Sequence, residues 1–332
     1  MPSPSKIFIT GTLLELSARV EEGLPFIPNK LMKTLLENVL ARAQTMYPVT
    51  IVSYIFLGNH FHILIVVKNP EHVSDFIEYL KRETAYCINK LLGRRKHTVW
   101  SDGYDNPVIL DPETAMRRLK YIYLNPVAAG LIKEGKSWPL SSASTFSGLL
   151  DSSEITVKRI PRNKIPKLPV RNMTIKEIDK VCSSLQYVGD ETYTLRVEPG
   201  AWLKCYVGTR DRDPRELNEL VLLEINNEEI STEKNREGLV PLLSELQVQN
   251  IRKPYTPKKF GKRMLCFGKD KNIRVKYIGW VKDLYKQLPR YLKKTKDEIL
   301  DIRIGYPPGF FAPGGRIFAN IVPYFTPFPY LA

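Results

Sequence analysis

Two apolar, β-branched runs, Val49 to Leu57 and His60 to Val67, are separated by the dipeptide Gly58-Asn59. A turn of this kind between strand-like runs reverses the chain into an antiparallel hairpin. Once the turn sets the register, side chains alternate between the two faces of the sheet. His60 and His62 then project together, and Phe61 points the other way. The chain holds four histidines in 332 residues, and two of them share this strand face. Two readings fit the pair. They are polar residues on the solvated face of a half-buried strand, or two neutral imidazoles able to hold a divalent cation.

The flanking pattern extends the hairpin to a fold class. Ile7 to Leu16 is rich in apolar and β-branched residues and predicts a first strand. Between Pro28 and Met46, the positions Leu31, Met32, Leu35, Leu36, Val39, Leu40 and Ala43 recur at helical spacing. Asn69-Pro70-Glu71 opens a second helix, with proline at its first position, that continues to Leu92. His97 to Leu110 predicts a fourth strand region. The order βαββαβ is that of a ferredoxin-like, antiparallel α+β sheet with helices on one face. Asp111-Pro112 then caps a further helix through Met116, Leu119, Tyr121, Ile122 and Tyr123. Asn125-Pro126 predicts its end, because the residue before proline disfavours helical geometry.

Charge and composition bound the rest. The net charge is +15, which points to a polyanionic partner. Residues 1–150 carry 17 Lys and Arg against 13 Asp and Glu, leaving +11 of that excess to residues 151–332. Between Arg252 and Lys296 there are 16 Lys and Arg against two acids, interleaved with Tyr255, Phe260, Phe267, Tyr277, Trp280, Tyr285 and Tyr291. Cations for phosphates and aromatic faces for bases make up a nucleic-acid surface; a basic domain with an aromatic core has the same composition. Cys87, Cys182, Cys205 and Cys266 are scattered without a CxxC pair, which argues against a zinc ribbon or a disulfide framework and for a reducing cytoplasm. No apolar stretch is long enough to predict a membrane span, and the run from Ile7 to Leu14 soon meets Glu15, Arg19 and Glu21, unlike a signal peptide. Composition divides the chain into a domain over 1–148, a linker over 149–171, a second basic domain of unknown fold over 172–306, and a Pro- and aromatic-rich tail over 307–332. Capping boxes at Thr174-Ile175-Lys176-Glu177 and Asp213-Pro214-Arg215-Glu216 predict helices in the second half.

Three features together carry a resemblance. They are His60-Phe61-His62, the run Lys120-Tyr121-Ile122-Tyr123-Leu124-Asn125-Pro126-Val127-Ala128-Ala129-Gly130-Leu131-Ile132, and Ser137-Trp138-Pro139-Leu140-Ser141-Ser142. In this order and spacing, residues 5–145 resemble the REP-associated tyrosine transposases, a branch of the single-tyrosine HUH transposases. Residues 151–332 carry no such likeness. The resemblance implies a ferredoxin-like nuclease domain acting on single-stranded or hairpin DNA in a bacterial cytoplasm. It implies Mg²⁺ or Mn²⁺ on His60 and His62, and Tyr121 as the nucleophile. Related enzymes place an amide, usually glutamine, one turn after the tyrosine as a third ligand. Asn125 occupies that place, and a helix C-cap is its other reading. Arg117 and Arg118, one turn before Tyr121, could clamp a phosphate or form a solvated cationic face. The family includes chains that act alone and homodimers that build each site from two copies.

The residue types suit the chemistry. A phenol titrates near ~10 and is a poor nucleophile at neutral pH without help. A divalent cation on the scissile phosphate polarises it and spreads the charge of the transition state. By the resemblance, cleavage leaves a 5′-phosphotyrosine and a free 3′-OH, and the retained bond energy allows strand transfer without a nucleotide cofactor. Tyr123 lies about 200° around the helix from Tyr121, so only one of the two can face the metal, and the resemblance selects Tyr121. Tyr123 is then expected to pack against the sheet, and Trp100 and Tyr104 near the fourth strand. His72 and His97 have no spaced partner and are expected at the surface. A replication-initiator-like HUH nicking enzyme and a domesticated, non-catalytic DNA- or RNA-binding protein are the alternatives.

Overall fold

The computed structural model describes residues 6–21, 26, 28–95, 97–143, 152–167, 175–185, 189–236 and 264–297. The tail over 307–332, the basic stretch Arg252 to Arg263 and the expected cap at Thr174 lie outside the described residues.

The hairpin forms as its turn requires: β2 (Thr50–Leu57) and β3 (His60–Val66) pair antiparallel with Leu57 opposite His60. β1 (Leu13–Arg19) lies along the other side of β3 and pairs antiparallel with it along its whole length. β4 (Val108–Ile109) closes the order β2-β3-β1-β4, all antiparallel. That is the ferredoxin-like sheet, and the fold class is α+β. Its fourth strand is short, and the preceding chain follows β1 through isolated bridges, Asp105 with Ser17 and Trp100 with Val20, and through bonds from Glu15 N to Pro107 O and Ser101 N to Arg19 O. The first strand starts later than expected. Thr10-Gly11 makes a turn, with Gly11 at φ 80°, so Ile7 and Phe8 are buried in the core without joining a strand.

The two crossover helices, α1 (Lys30–Met46) and α2 (Pro70–Leu91), cover the Phe61 face. Their starts follow the sequence: Asn29 Oδ1 accepts from Met32 N, and Pro70 sits at the first turn of α2. Under them, Phe26, Phe56, Phe61 and Trp100 form one aromatic cluster with ring centroids 5.1–5.6 Å apart. The Trp100 indole N–H is satisfied inside it by Thr84 Oγ1 at 3.0 Å.

α3 (Pro112–Ala128) covers the opposite face, so the sheet is buried on both sides and every residue of β2 is buried. Asp111 caps it by accepting from Thr114 N at 2.7 Å. The helix does not end at Asn125. It runs through Pro126 and stops at Gly130, φ 73°, where Gly130 N bonds Val127 O and Leu131 N bonds Pro126 O. This is a Schellman ending, and the left-handed glycine rather than the proline terminates the helix. Pro126 only forfeits its own N–H bond. The C-cap reading of Asn125 is therefore corrected: Asn125 is inside the helix, one turn beyond Tyr121.

Residues beyond α3 join the same sheet. The run around Trp138 returns along β2: Phe56 N bonds Leu140 O, the Trp138 indole donates to Phe56 O, and Ser142 Oγ accepts from Tyr54 N. It covers the second half of the β2 edge. The first half is taken by β6 (Thr192–Val197), parallel through Ile51 and Val197, and β6 in turn pairs antiparallel with β5 (Ser153–Lys158). β5 falls within the span read as a linker. Its alternation, with Ile155 and Val157 turned toward the core, is a short strand signal among basic residues. At the far edge, β7 (Cys266–Phe267) pairs parallel with β4, giving seven strands in the order β5-β6-β2-β3-β1-β4-β7. α4 (Ile175–Leu185) packs on α1, α5 (Pro214–Arg236) packs on α3, and α6 (Lys271–Asp297) follows β7. Cys87, Cys205 and Cys266 are buried free thiols.

Close approach at one glycine locks the turn after α3. A Cβ on Gly135 would lie 2.5 Å from the Tyr123 carbonyl oxygen and from its ring. Gly135→Ala should therefore destabilise the fold by about 1–3 kcal/mol through forced displacement of packed atoms. Gly208→Ala, where a Cβ meets nothing within 4 Å, should change it by less than about 0.5 kcal/mol. Urea unfolding midpoints of the two variants check this, and equal midpoints would contradict it.

Candidate active site

β3 presents His60 and His62 on the face that α3 covers, with ring centroids 5.1 Å apart. The Tyr121 ring stands edge-on to His62 at 5.5 Å. The phenol is 42% exposed, so a polymer strand can reach it. Tyr123 points elsewhere, as helical geometry demands. It is buried, with its ring beside the Gly135 turn, and burial, then Glu229 and Glu134, push its hydroxyl up to about 12.

Each imidazole is held by its Nδ1. His60 Nδ1 lies 2.7 Å from Asn59 Oδ1, and His62 Nδ1 lies 2.8 Å from Glu15 Oε1. Oxygen acceptors beside both Nδ1 atoms place the proton on Nδ1, so that in a neutral ring Nε2 carries the lone pair. Burial, followed by the neighbouring His62 and Arg19, lowers His60 to about 3, so its ring is neutral. Asn125, on the same α3 face as Tyr121, has a side-chain nitrogen that is buried without a hydrogen-bond partner among the described residues. That nitrogen is a donor and could not itself ligate a cation; an amide on this face would offer a metal its Oδ1 instead. Among the described residues no three His, Cys, Asp or Glu side chains form a metal-holding group; the side chains that could hold a cation here are the two imidazoles and the Asn125 amide oxygen. That mixed nitrogen and oxygen set is compatible with Mn²⁺ or Mg²⁺.

Glu15 is the residue that sequence reading passed over. It sits on β1, 2% exposed, and joins the two halves of the site. Besides accepting from His62, it receives Arg118 Nε at 2.5 Å and Arg118 Nη2 at 2.6 Å. Burial alone would raise this carboxyl. The hydrogen bonds and charges of His62 and Arg118 outweigh burial and hold it below the usual carboxylate range. An acid inside the apolar run Leu13-Leu14-Glu15-Leu16 was the available signal, since an ionised carboxylate is buried only when partnered.

The two arginines separate. Arg118 is committed to Glu15, and its guanidinium lies 4.0 Å from the Tyr121 ring centroid and 4.6 Å from that of Phe267. Arg117 is exposed, with one hydrogen bond to Thr114 Oγ1 at 3.0 Å. Lys120 pairs with Glu228 at 3.0 Å and Glu224 at 3.4 Å on α5, bracing α3 from outside. Trp100 packs in the core, Tyr104 bonds Ser74 Oγ at 3.1 Å, His97 is exposed, and His72 is half-buried against Tyr47. Among the described residues no helix is long and apolar enough to cross a membrane.

This arrangement defines a class: a ferredoxin-like α+β sheet whose central strand sets two imidazoles beside an exposed tyrosine on the covering helix. Residues 25–122, which contain both histidines and Tyr121, match the family model described as Transposase IS200 like. Over 105 residues the chain is 29% identical to a putative REP-associated tyrosine transposase of Haemophilus influenzae, a match spanning 29% of this chain and 60% of that protein. It is also similar to a solved structure described as a REP-associated tyrosine transposase bound to a REP hairpin, at 18% identity, 44% of this chain, 86% of that one and a TM-score of 0.36. The resemblance to this transposase family is thus found by comparison as well as in the motifs.

Arg118→Ala would leave Glu15 buried and short of its main counter-charge. Removing one partner of a buried pair costs about 3–5 kcal/mol. Chemical denaturation should show a loss of that order, while exposed Arg117→Ala changes stability by less than about 0.5 kcal/mol. Equal, small effects would mean that the pair does not hold the site together.

Proposed function

We propose that the protein is a metal-dependent, single-tyrosine DNA endonuclease and strand transferase of the transposase type, acting on single-stranded, hairpin-associated DNA. The observation that carries this reading is the meeting of His60, His62 and Tyr121 across the β3–α3 contact, with Asn125 one helical turn beyond Tyr121. The matched transposase family supports DNA as the partner.

In this reading the Tyr121 hydroxyl oxygen attacks the scissile phosphorus. A phosphorus–tyrosine bond forms, the phosphorus–O3′ bond breaks, the phenol proton is given up, and the departing 3′ oxygen takes one up. Bond count is conserved, so the phosphotyrosine can be attacked in turn by another 3′-OH, with no nucleotide cofactor. His60, His62 and Asn125 would hold Mg²⁺ or Mn²⁺, which when bound supplies Lewis-acid polarisation of the phosphate. Glu15 fixes the His62 tautomer and orientation. Arg117, exposed one turn before Tyr121, is the phosphate contact. Arg118 acts through the ring it covers. The exposure of Tyr121 admits the DNA strand, whereas Tyr123 is too buried to substitute for it.

The test uses single-stranded hairpin oligonucleotides from the flanking genomic DNA, end-labelled, with Mg²⁺ or Mn²⁺. Wild-type protein should form a covalent protein–DNA adduct that disappears with EDTA and in Tyr121→Phe. His60→Ala and His62→Ala should lower the adduct rate at least ~100-fold, and Asn125→Ala should raise the metal concentration needed. An adduct that survives in Tyr121→Phe would move the chemistry to another residue. Tight hairpin binding with no adduct in either metal would leave a non-catalytic DNA-binding protein.

A further inference from the structure

The nuclease reading draws only on residues up to Asn125, yet a side chain from far along the chain reaches the same place. Phe267 lies on β7, at the sheet edge beside β4. Its backbone is fixed there by pairing with Ile109 and by the bond from Leu110 N to its carbonyl at 2.9 Å. The next loop is fastened to the start of α3: Lys269 N donates to Asp111 Oδ2 at 2.8 Å, and Lys269 Nζ reaches Glu113 at 2.7 Å. The strand carrying Phe267 and the helix carrying Tyr121 are therefore tied to one another at two levels.

Between them lies Arg118. Its guanidinium is within cation–π range of both rings, 4.0 Å from Tyr121 and 4.6 Å from Phe267, while its Nε and Nη2 are bound to Glu15. A planar guanidinium with its edge on a carboxylate still presents its faces to aromatic rings. The Glu15 bond alone leaves the plane free to tilt about the shared edge. An aromatic face under it removes that freedom, and the position of the cation against the phenol ring follows. The family match, over residues 25–122, stops far short of Phe267.

We propose that Phe267 is a positioning residue of this site. It sets the plane of Arg118 and thereby the placement of the Tyr121 ring, so the C-terminal half of the chain contributes to the cleavage geometry. The inference rests on Tyr121 being the nucleophile. Phe267 touches no substrate in this account, and its effect is on the rate of attack rather than on DNA affinity.

The test compares full-length wild type, Phe267→Leu and Phe267→Tyr on the labelled hairpins, measuring adduct rate at saturating DNA and hairpin affinity separately. Leucine keeps an apolar side chain but removes the aromatic face; tyrosine restores it. The leucine variant should form adduct about tenfold more slowly, since small misplacements of reacting groups are costly. Its hairpin affinity should stay within about twofold, and the tyrosine variant should recover most of the rate. A leucine variant as fast as wild type, or a tyrosine variant as slow as leucine, overturns the inference while leaving the nuclease reading intact. Wild-type protein that forms no adduct with either metal overturns the nuclease reading first, and this inference with it.

Discussion

The buried Glu15 carboxylate is the contact on which the site depends. It stands on the strand next to the two histidines and binds the helix that carries the tyrosine, so β1, β3 and α3 meet at one charge. A carboxylate removed from water must be repaid by hydrogen bonds and counter-charge, and here both come from residues of the site itself. The consequence is geometric. His62 is turned with Nδ1 on the carboxylate, and Arg118 is drawn across the Tyr121 ring. A neutral residue at this place could fill the volume without fixing either orientation.

The sheet explains how such a face stays rigid and yet open. α1 and α2 seal one side with an aromatic and aliphatic core, and α3 covers the other. On that second side the helix leaves Tyr121 exposed over the histidines while burying Tyr123. Both edges of the four-stranded core are continued. β6 and the run around Trp138 share the edge of β2, and β7 extends β4. Edge strands with unpaired backbone groups are liabilities, and a continued sheet satisfies them. The late residues thereby gain a fixed route to the early ones. α5 braces α3 through Lys120 and the following turn through Gly135 N, Arg162 joins the Glu83–Arg42 pair that links α2 to α1, and β7 brings Phe267 to Arg118.

Much of the site was legible because its signals are local. The Gly58-Asn59 turn and strand alternation put His60 and His62 on one face, and helical angle separated Tyr121 from Tyr123. Both inferences need only the period of one element. Where local rules erred, a neighbouring residue overruled them. Asn125-Pro126 reads as a helix end, but the ending is supplied by Gly130, and Asn125 is kept on the Tyr121 face. Gly11 likewise delays the first strand to Leu13. Arg118 looked like a phosphate clamp beside Arg117, because a sequence shows the charge and not the carboxylate that engages it.

The sequence by itself determined the shared facing of the two histidines and the opposite facing of Tyr121 and Tyr123, since each follows from the repeat of a single strand or helix. Only the tertiary structure decided that Glu15 joins His62 to Arg118, that β5, β6 and β7 belong to the same sheet, and that Phe267 lies against Arg118. Those facts depend on which strands become neighbours. A carboxylate, a guanidinium and a ring far apart in the chain find one another because burying the first of them without partners would cost more than the fold could sustain.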